Sequence, residues 1–381
     1  MNVYFDNAAT TPPRKEVISA ISKVMEESFG NPSSTHSFGR TAKTYVETSR
    51  KNIAQLINAA PQEIIFTSGG TESDNMILHC AVKDLGVQRI ISSRLEHHAV
   101  LHALDALEQL FQIKIDFVQT DENGAIDLKH LESLLKNDSS KKLVSLMHVN
   151  NEIGNILDLE KVGNLCHENQ ALFHTDAVQG IGHFTFDMEK LPVDFLSAAA
   201  HKFHGPKGVG FSFVRKNSGL QPFIYGGSQE RGLRAGTESV HNIVGMCTAL
   251  ELAYKNLKEE KQKILEVKTN FISQISKLFP NVKFNGLCGD LTQSTYTLVN
   301  IALPIPKEKA LLLDFHLDLN GIACSKGSAC QSGSQSGSHV LNEIQSEVHQ
   351  DWPSLRFSFS MANTTDEVDH LIKIFKDFNL K

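Results

Sequence analysis

At 381 residues the chain is long enough for two or three domains and a large buried core, which excludes a small scaffold held by staples. Lysine and arginine number 37 against 43 acids, a net charge of −6, so the surface has no general attraction for a polyanion and no nucleic-acid partner is expected. Hydrophobic residues make up 41% and charged residues 21%, globular values that exclude wholesale disorder.

The opening residues MNVYFDNAATTPPRKE show no basic stretch followed by an apolar run, and no window approaches the roughly 20 apolar residues that a membrane span needs. Segment 13–27 begins with Pro13 and sets Val17, Ile18, Ile21, Val24 and Met25 on one face, the spacing of an amphipathic helix with proline in its first turn. Apolar runs then alternate with helical patterns, and 63–66, 89–91, 114–118, 143–147, 171–174 and 193–196 read as short strands. That alternation predicts an α/β fold with a mainly parallel sheet covered by helices. One long helical pattern follows over 240–278 and stops before Pro280. Beyond it the rhythm changes: 282–284, 297–303 and 355–359 read as strands, 307–319 and 365–378 as helices, a smaller α+β unit. Within it the Ser/Gly-rich stretch of about 324–338 is expected to be a mobile loop.

The six cysteines, Cys80, Cys166, Cys247, Cys288, Cys324 and Cys330, form no CxxC pair, which argues against a disulfide framework or a zinc ribbon and points to a reducing, cytoplasmic setting. Cys330 lies in the Ser/Gly loop, where a thiol is placed to react. Cys80, Cys166 and Cys247 fall in apolar helical patterns and Cys324 ends an apolar step, so these read as structural.

Three further constellations stand at the carboxyl ends of predicted strands, where open α/β sheets bind ligands. Phe66-Thr-Ser-Gly-Gly70-Thr71 precedes a helical pattern and reads either as a phosphate cradle or as an ordinary capped turn. Asp176, in His174-Thr-Asp-Ala-Val-Gln179, leaves a buried strand and needs a cation or strong donor, unless it is a local turn aspartate. Lys202 follows the apolar strand of Ala198-Ala-Ala-His201 and precedes a Gly-Pro turn. That setting suits a Schiff-base lysine, although an unremarkable strand-end lysine has the same look. His97 could lay its ring on an aromatic cofactor or belong with His98 and His102 to a polar helix face, and Arg356 could fork a carboxylate or form a surface ion pair. No ligand set with zinc spacing closes around His97 or His201, so no metal is expected.

Taken in order, Tyr4–Pro12, Gly30–His36, Phe66–Asn75, Leu95–His97, Met147–Gly154, Asp176–Gln179, His201-Lys202 and Gly327–Cys330 resemble the cysteine desulfurases, over residues 4 to about 360. The resemblance implies the fold-type I architecture of pyridoxal 5'-phosphate (PLP) enzymes, with a large unit over 13–255 and a small one made of 1–12 and 256–381. It implies a homodimer that converts L-cysteine to L-alanine and leaves the sulfur on Cys330 as a persulfide, from which a sulfur-acceptor protein takes it for iron–sulfur assembly or thiolation. Lys202 would carry PLP, Asp176 would pair with its ring N–H, and His97 would stack on the ring and move protons. Gln179 would bond the phenolic oxygen, with Asn151 supporting that region and the substrate. Gly70, Thr71 and His201 would hold the phosphate, with Thr237 reaching it from the other subunit, and Arg356 would bind the substrate carboxylate.

Two departures from the family stand out. Ala199 occupies a position commonly held by a phosphate-binding serine, a loss on the order of 1 kcal/mol. Ser336-Gly-Ser-His339 stands where a Glu-Pro-Ser-His type of sequence is frequent, which bears on the loop and the acceptor it serves. A selenocysteine lyase, an aminotransferase or another β-elimination enzyme of the same fold would share Asp176 and Lys202 without needing Cys330, and a silent acceptor-binding scaffold would need none of the set.

Overall fold

The computed structural model describes residues 1–326, 337–346 and 352–379. After a short strand β1 (Val3–Tyr4), a seven-stranded sheet is built from β2 (Ile64–Thr67), β3 (Arg89–Ser92), β4 (Lys114–Phe117), β5 (Lys142–Ser145), β6 (Leu172–Asp176), β7 (Phe195–Ala199) and β8 (Gly210–Val214). Its order is β2-β8-β7-β6-β5-β3-β4, parallel throughout except that β8 runs against both of its neighbours. Every residue of β2, β3, β5, β7 and β8 is buried, which explains why apolar residues stand side by side in most of them, as in Ile64-Ile-Phe66, Ile90-Ile91, Leu143-Val144 and Phe195-Leu196: helices cover both faces, so neither face has to be polar.

One face packs against α1 (Lys15–Glu27) and α2 (Ser37–Leu56) through Val17, Val24, Val46 and Ile53; the other packs against α3 (Gly70–Lys83) and α4 (His98–Phe111) through Ile77, Ala81, Val100 and Leu104. Helices α5 (Leu128–Lys136) and α6 (Leu159–Glu168) follow β4 and β5. β8 is a strand that the sequence pattern did not single out, because its Phe-Ser-Phe core follows directly on the Gly-Pro turn of 205–208.

The expected single helix over 240–278 is two helices, α7 (Val240–Lys255) and α8 (Leu257–Leu278), which meet at Asn256. The break has a packing cause. Ile243, Met246 and Leu250 of α7 belong to the core of the large sheet, whereas Ile264, Phe271 and Ile275 of α8 belong to a second core. That second core gathers Val3 and Phe5 with Leu298–Ala302 (β10) and Ser354–Ser358 (β12), which pair antiparallel, after the short β9 (Lys283–Phe284). α9 (Lys307–Leu319), β11 (Ile322–Ala323), α10 (His339–Ile344) and α11 (Thr365–Asn379) complete the chain. β1 pairs with β11, so the amino terminus is tied to the carboxyl-terminal unit. Among the described residues no helix is long and apolar enough to cross a membrane.

Candidate active site

A cavity of about 370 Å³ opens at the carboxyl ends of β2, β3, β5, β6 and β7. It brings together nine residues singled out from the sequence: Gly70, Thr71, His97, Asn151, Asp176, Gln179, His201, Lys202 and Arg356. Thr237 does not join them; it borders a separate cavity with Ser68, Glu230 and Arg234. Cys330 lies outside the described residues.

The turn after β2 depends on glycine. Gly69 has φ +150°, a conformation side chains disfavour, and a Cβ on Gly70 would sit 2.6 Å from Val178 Cγ2. α3 therefore starts at the cavity wall with no side-chain cap, and its first N–H groups, which have no partner inside the helix, suit an anion. His201 adds a ring whose Nδ1 meets Thr10 Oγ1 at 3.2 Å. Ala199 is buried at the same wall, as the end of β7 dictates.

Asp176 ends β6 facing the cavity, and its Oδ1 accepts from Val178 N at 2.9 Å. Burial pushes its carboxyl up to about 7, neighbouring Asp74 adds to the rise, and the Val178 N–H opposes it. Asp74, on the buried stripe of α3, is likewise driven up to about 7 by burial, and its Oδ1 has no hydrogen-bond partner among the described residues. Glu96 is raised well above the carboxylate range by burial and by both aspartates, against the bond from Met147 N at 3.0 Å. His174 Nε2 lies 3.5 Å from Asp74, but burial pushes this ring down to about 4, so the contact is not an ion pair at neutral pH. Instead His174 bridges Ser145 Oγ (2.9 Å) and Ser197 Oγ (3.1 Å). Asp74 and Asp176, both buried, border the cavity with Glu96 close behind, and such a cluster calls for a cationic N–H.

Lys202 Nζ donates to Ala8 O (2.5 Å) and Ala9 O (2.9 Å), and Gln179 Nε2 donates to Ala8 O at 2.9 Å. The amino-terminal segment thus laces across the site through backbone carbonyls. His97 is the N-cap of α4 rather than part of a polar helix face, and its Nδ1 accepts from Ala99 N at 3.1 Å. Burial, then the charge of Lys202, holds this ring down to about 4, so it is neutral with its hydrogen on Nε2. Arg356 is no surface residue. It is 2% exposed, bonds Asn151 O at 2.8 Å and pairs with Asp6 at 2.9 Å.

Sequence reasoning missed Asp74, Glu152, Asp6 and the carbonyls of Ala8 and Ala9. Asp74 carried a faint signal, an acid one turn before Ile77 and Leu78 on an apolar helix; a backbone carbonyl of alanine carries none. The cavity fits PLP: the acid cluster for a ring N–H, the amine of Lys202 beside it, and a bare helix start for a phosphate. In the cofactor-free chain Asp176 binds a proton that the unfolded chain has released above about pH 4, so its contribution to stability declines as pH rises from about 4 to about 7. Asp176→Asn is therefore expected to melt several degrees above the unsubstituted apoprotein at pH 8, with the gap closing towards pH 4.5 in a thermal scan. Equal melting temperatures at pH 8 would contradict this.

The sequence pattern described as Aminotransferase class-V matches residues 3–371. The chain is similar to cysteine desulfurase IscS of Dictyoglomus turgidum, with 41% identity over 376 residues covering 98% of this chain and 93% of that protein. Among solved structures, a NifS-like protein superposes with a TM-score of 0.90 at 34% identity over the whole of both chains. SspA in complex with cysteine superposes with a TM-score of 0.79 at 30% identity, over 95% of this chain and all of that one. Full-length similarity of this degree, on a pocket of this composition, means that the chain belongs to the class-V aminotransferase family and, within it, to the cysteine desulfurases, enzymes that depend on PLP.

Proposed function

We propose that this pocket takes L-cysteine, releases L-alanine, and passes the sulfur through a persulfide on Cys330 to an acceptor protein serving iron–sulfur or thiolation chemistry. One observation carries the reading: nine motif residues border a single cavity, and both ends of the Cys330 segment are bonded to its walls. Ser325 Oγ meets Arg356 Nη2 at 3.2 Å, and the Ser338 hydroxyl donates to Glu152.

When bound, PLP supplies an electrophilic carbon and a ring that stores an electron pair. Asp176 would face the ring nitrogen, whose charge is the partner a buried carboxylate needs in order to ionise. Gly70, Thr71 and His201 would hold the phosphate, Gln179 and Asn151 the phenolic oxygen. Lys202 Nζ would hold the cofactor and then take the substrate Cα proton, and the Nε2–H of His97 would serve a second proton transfer. Arg356 would bind the substrate carboxylate. The Cys330 thiolate would form an S–S bond to the substrate sulfur as the Cβ–S bond breaks, the electron pair staying with the carbon skeleton, which gains protons to become alanine.

A homodimer would bring Thr237 to the phosphate of the other copy. Support comes from Phe29 (78% exposed) and Phe38, whose exposed rings stack at 5.0 Å, and from a cavity that Phe29 shares with Thr237. The acidic surface fits a cytoplasmic protein without nucleic acid as a direct partner.

Incubation of the PLP-loaded chain with L-cysteine and a reductant tests the reading. Alanine and sulfide should form in equal amounts, and without reductant the Cys330 peptide should become one sulfur atom heavier. Pyruvate and ammonia in place of alanine would identify an elimination lyase instead.

A further inference from the structure

Arg356 already has a carboxylate. Its Nη2 donates to Asp6 Oδ1 at 2.9 Å and to Ser325 Oγ at 3.2 Å, its Nη1 donates to Asn151 O at 2.8 Å, and Nε is buried without a hydrogen-bond partner among the described residues. Ser325 closes the triangle by donating to the same Asp6 oxygen at 2.6 Å, and the backbones of Ser325 and Arg356 exchange two hydrogen bonds. Arg356 borders the cavity; Asp6 and Ser325 do not, so the acid approaches the guanidinium from behind.

A guanidinium has five hydrogens, and a carboxylate gripped in the forked manner needs two of them on one edge. Both hydrogens of Nη2 are engaged, one of Nη1 is engaged, and the Nε–H faces buried protein. A ligand arriving from the cavity therefore cannot obtain a fork on the Nη1–Nη2 edge while Nη2 keeps both partners.

We propose that Asp6 is an internal competitor of the substrate: it neutralises Arg356 in the empty pocket and yields a hydrogen of Nη2 to the incoming α-carboxylate. The arrangement spares the empty protein a buried, unpaired guanidinium, a strongly destabilising state. It also requires each ligand to bring a full negative charge, since a weaker acceptor cannot replace a carboxylate in a charge-assisted bond. The inference rests on the reading of Arg356 as the group that binds the substrate carboxylate, and Asp6 is a positioning residue.

The test is calorimetric titration of the full-length, PLP-loaded chain with L-alanine, which has the α-carboxylate and no sulfur. Asp6→Asn keeps the shape and an oxygen acceptor for Ser325 while removing the charge, and should bind L-alanine roughly tenfold more tightly. A residue that merely braces Arg356 would do the opposite on replacement. Asp6→Ser, smaller and also neutral, provides the same comparison if the asparagine variant does not fold. Arg356→Gln separates the two levels. Unchanged L-alanine affinity in Arg356→Gln would remove the reading of Arg356 and the competitor with it. Weakening in Arg356→Gln together with unchanged or weaker binding in Asp6→Asn would leave Arg356 in its role and overturn the competitor.

Discussion

Cys330→Ala is expected to lower sulfide release from L-cysteine by at least about 10³-fold while the visible absorbance of bound PLP persists. The other five thiols of the chain are poor candidates for the nucleophile. Burial pushes Cys80, Cys247 and Cys324 up to about 12 and Cys288 up to about 11, and raises Cys166 as well. None of these is a thiolate near neutrality, and a thiolate is what attacks sulfur. Cys330 remains, on a segment whose two ends are bonded to Arg356 and Glu152 at the cavity wall. The far end is also set by His339, which bonds Glu96 O at 2.9 Å, and by Val340 and Leu341, which pack on Leu95 and Ile153. Full turnover in Cys330→Ala with alanine still the product would mean that a nucleophile other than Cys330 takes the sulfur, and full turnover with pyruvate and ammonia in place of alanine would favour an elimination lyase.

What the sequence discloses of this site follows from the way each part is made. Most of the strands could be read because they are buried on both faces, so adjacent residues in them are apolar, and the motif residues could be read because they stand at the ends of such strands: Asp176 at the end of Leu172–Asp176, Lys202 just after Phe195–Ala199. The division of 240–278 was not legible, since α7 and α8 are each apolar on one face and the change of partner core leaves only Asn256 as a trace. The amino-terminal segment was legible as a motif but not as a structure. Its contribution is the carbonyls of Ala8 and Ala9 under Lys202 and the carboxylate of Asp6 on Arg356, and pairings across roughly 190 and 350 residues depend on tertiary packing alone. Glu152 stood inside a recognised motif, yet only the fold shows that it meets Ser338.

Lys202→Ala should reduce turnover by about 10²- to 10⁴-fold, the range for loss of a positioned proton-transfer group. Lys202 is the one lysine among the described residues that line the cavity, and two carbonyls hold its amine at a single point. His97 is a poor substitute for it, because burial, the larger cause of its lowered basicity, persists when Lys202 is removed. Truncation removes two bonds to the backbone of residues 8 and 9 at the cavity wall without opening the apolar core, so the melting temperature should change by only a few degrees. Two readouts separate a chemical role from a structural one. Borohydride should fix PLP to the Lys202 peptide of the native chain and to no peptide of the variant. Methylamine, small enough for the space the side chain leaves, should restore part of the activity of Lys202→Ala, with a rate that rises with pH as the free amine forms. Turnover above about a tenth of the native rate in the variant without added amine, or PLP fixed by borohydride to another lysine of the native chain, would move the chemistry away from this residue.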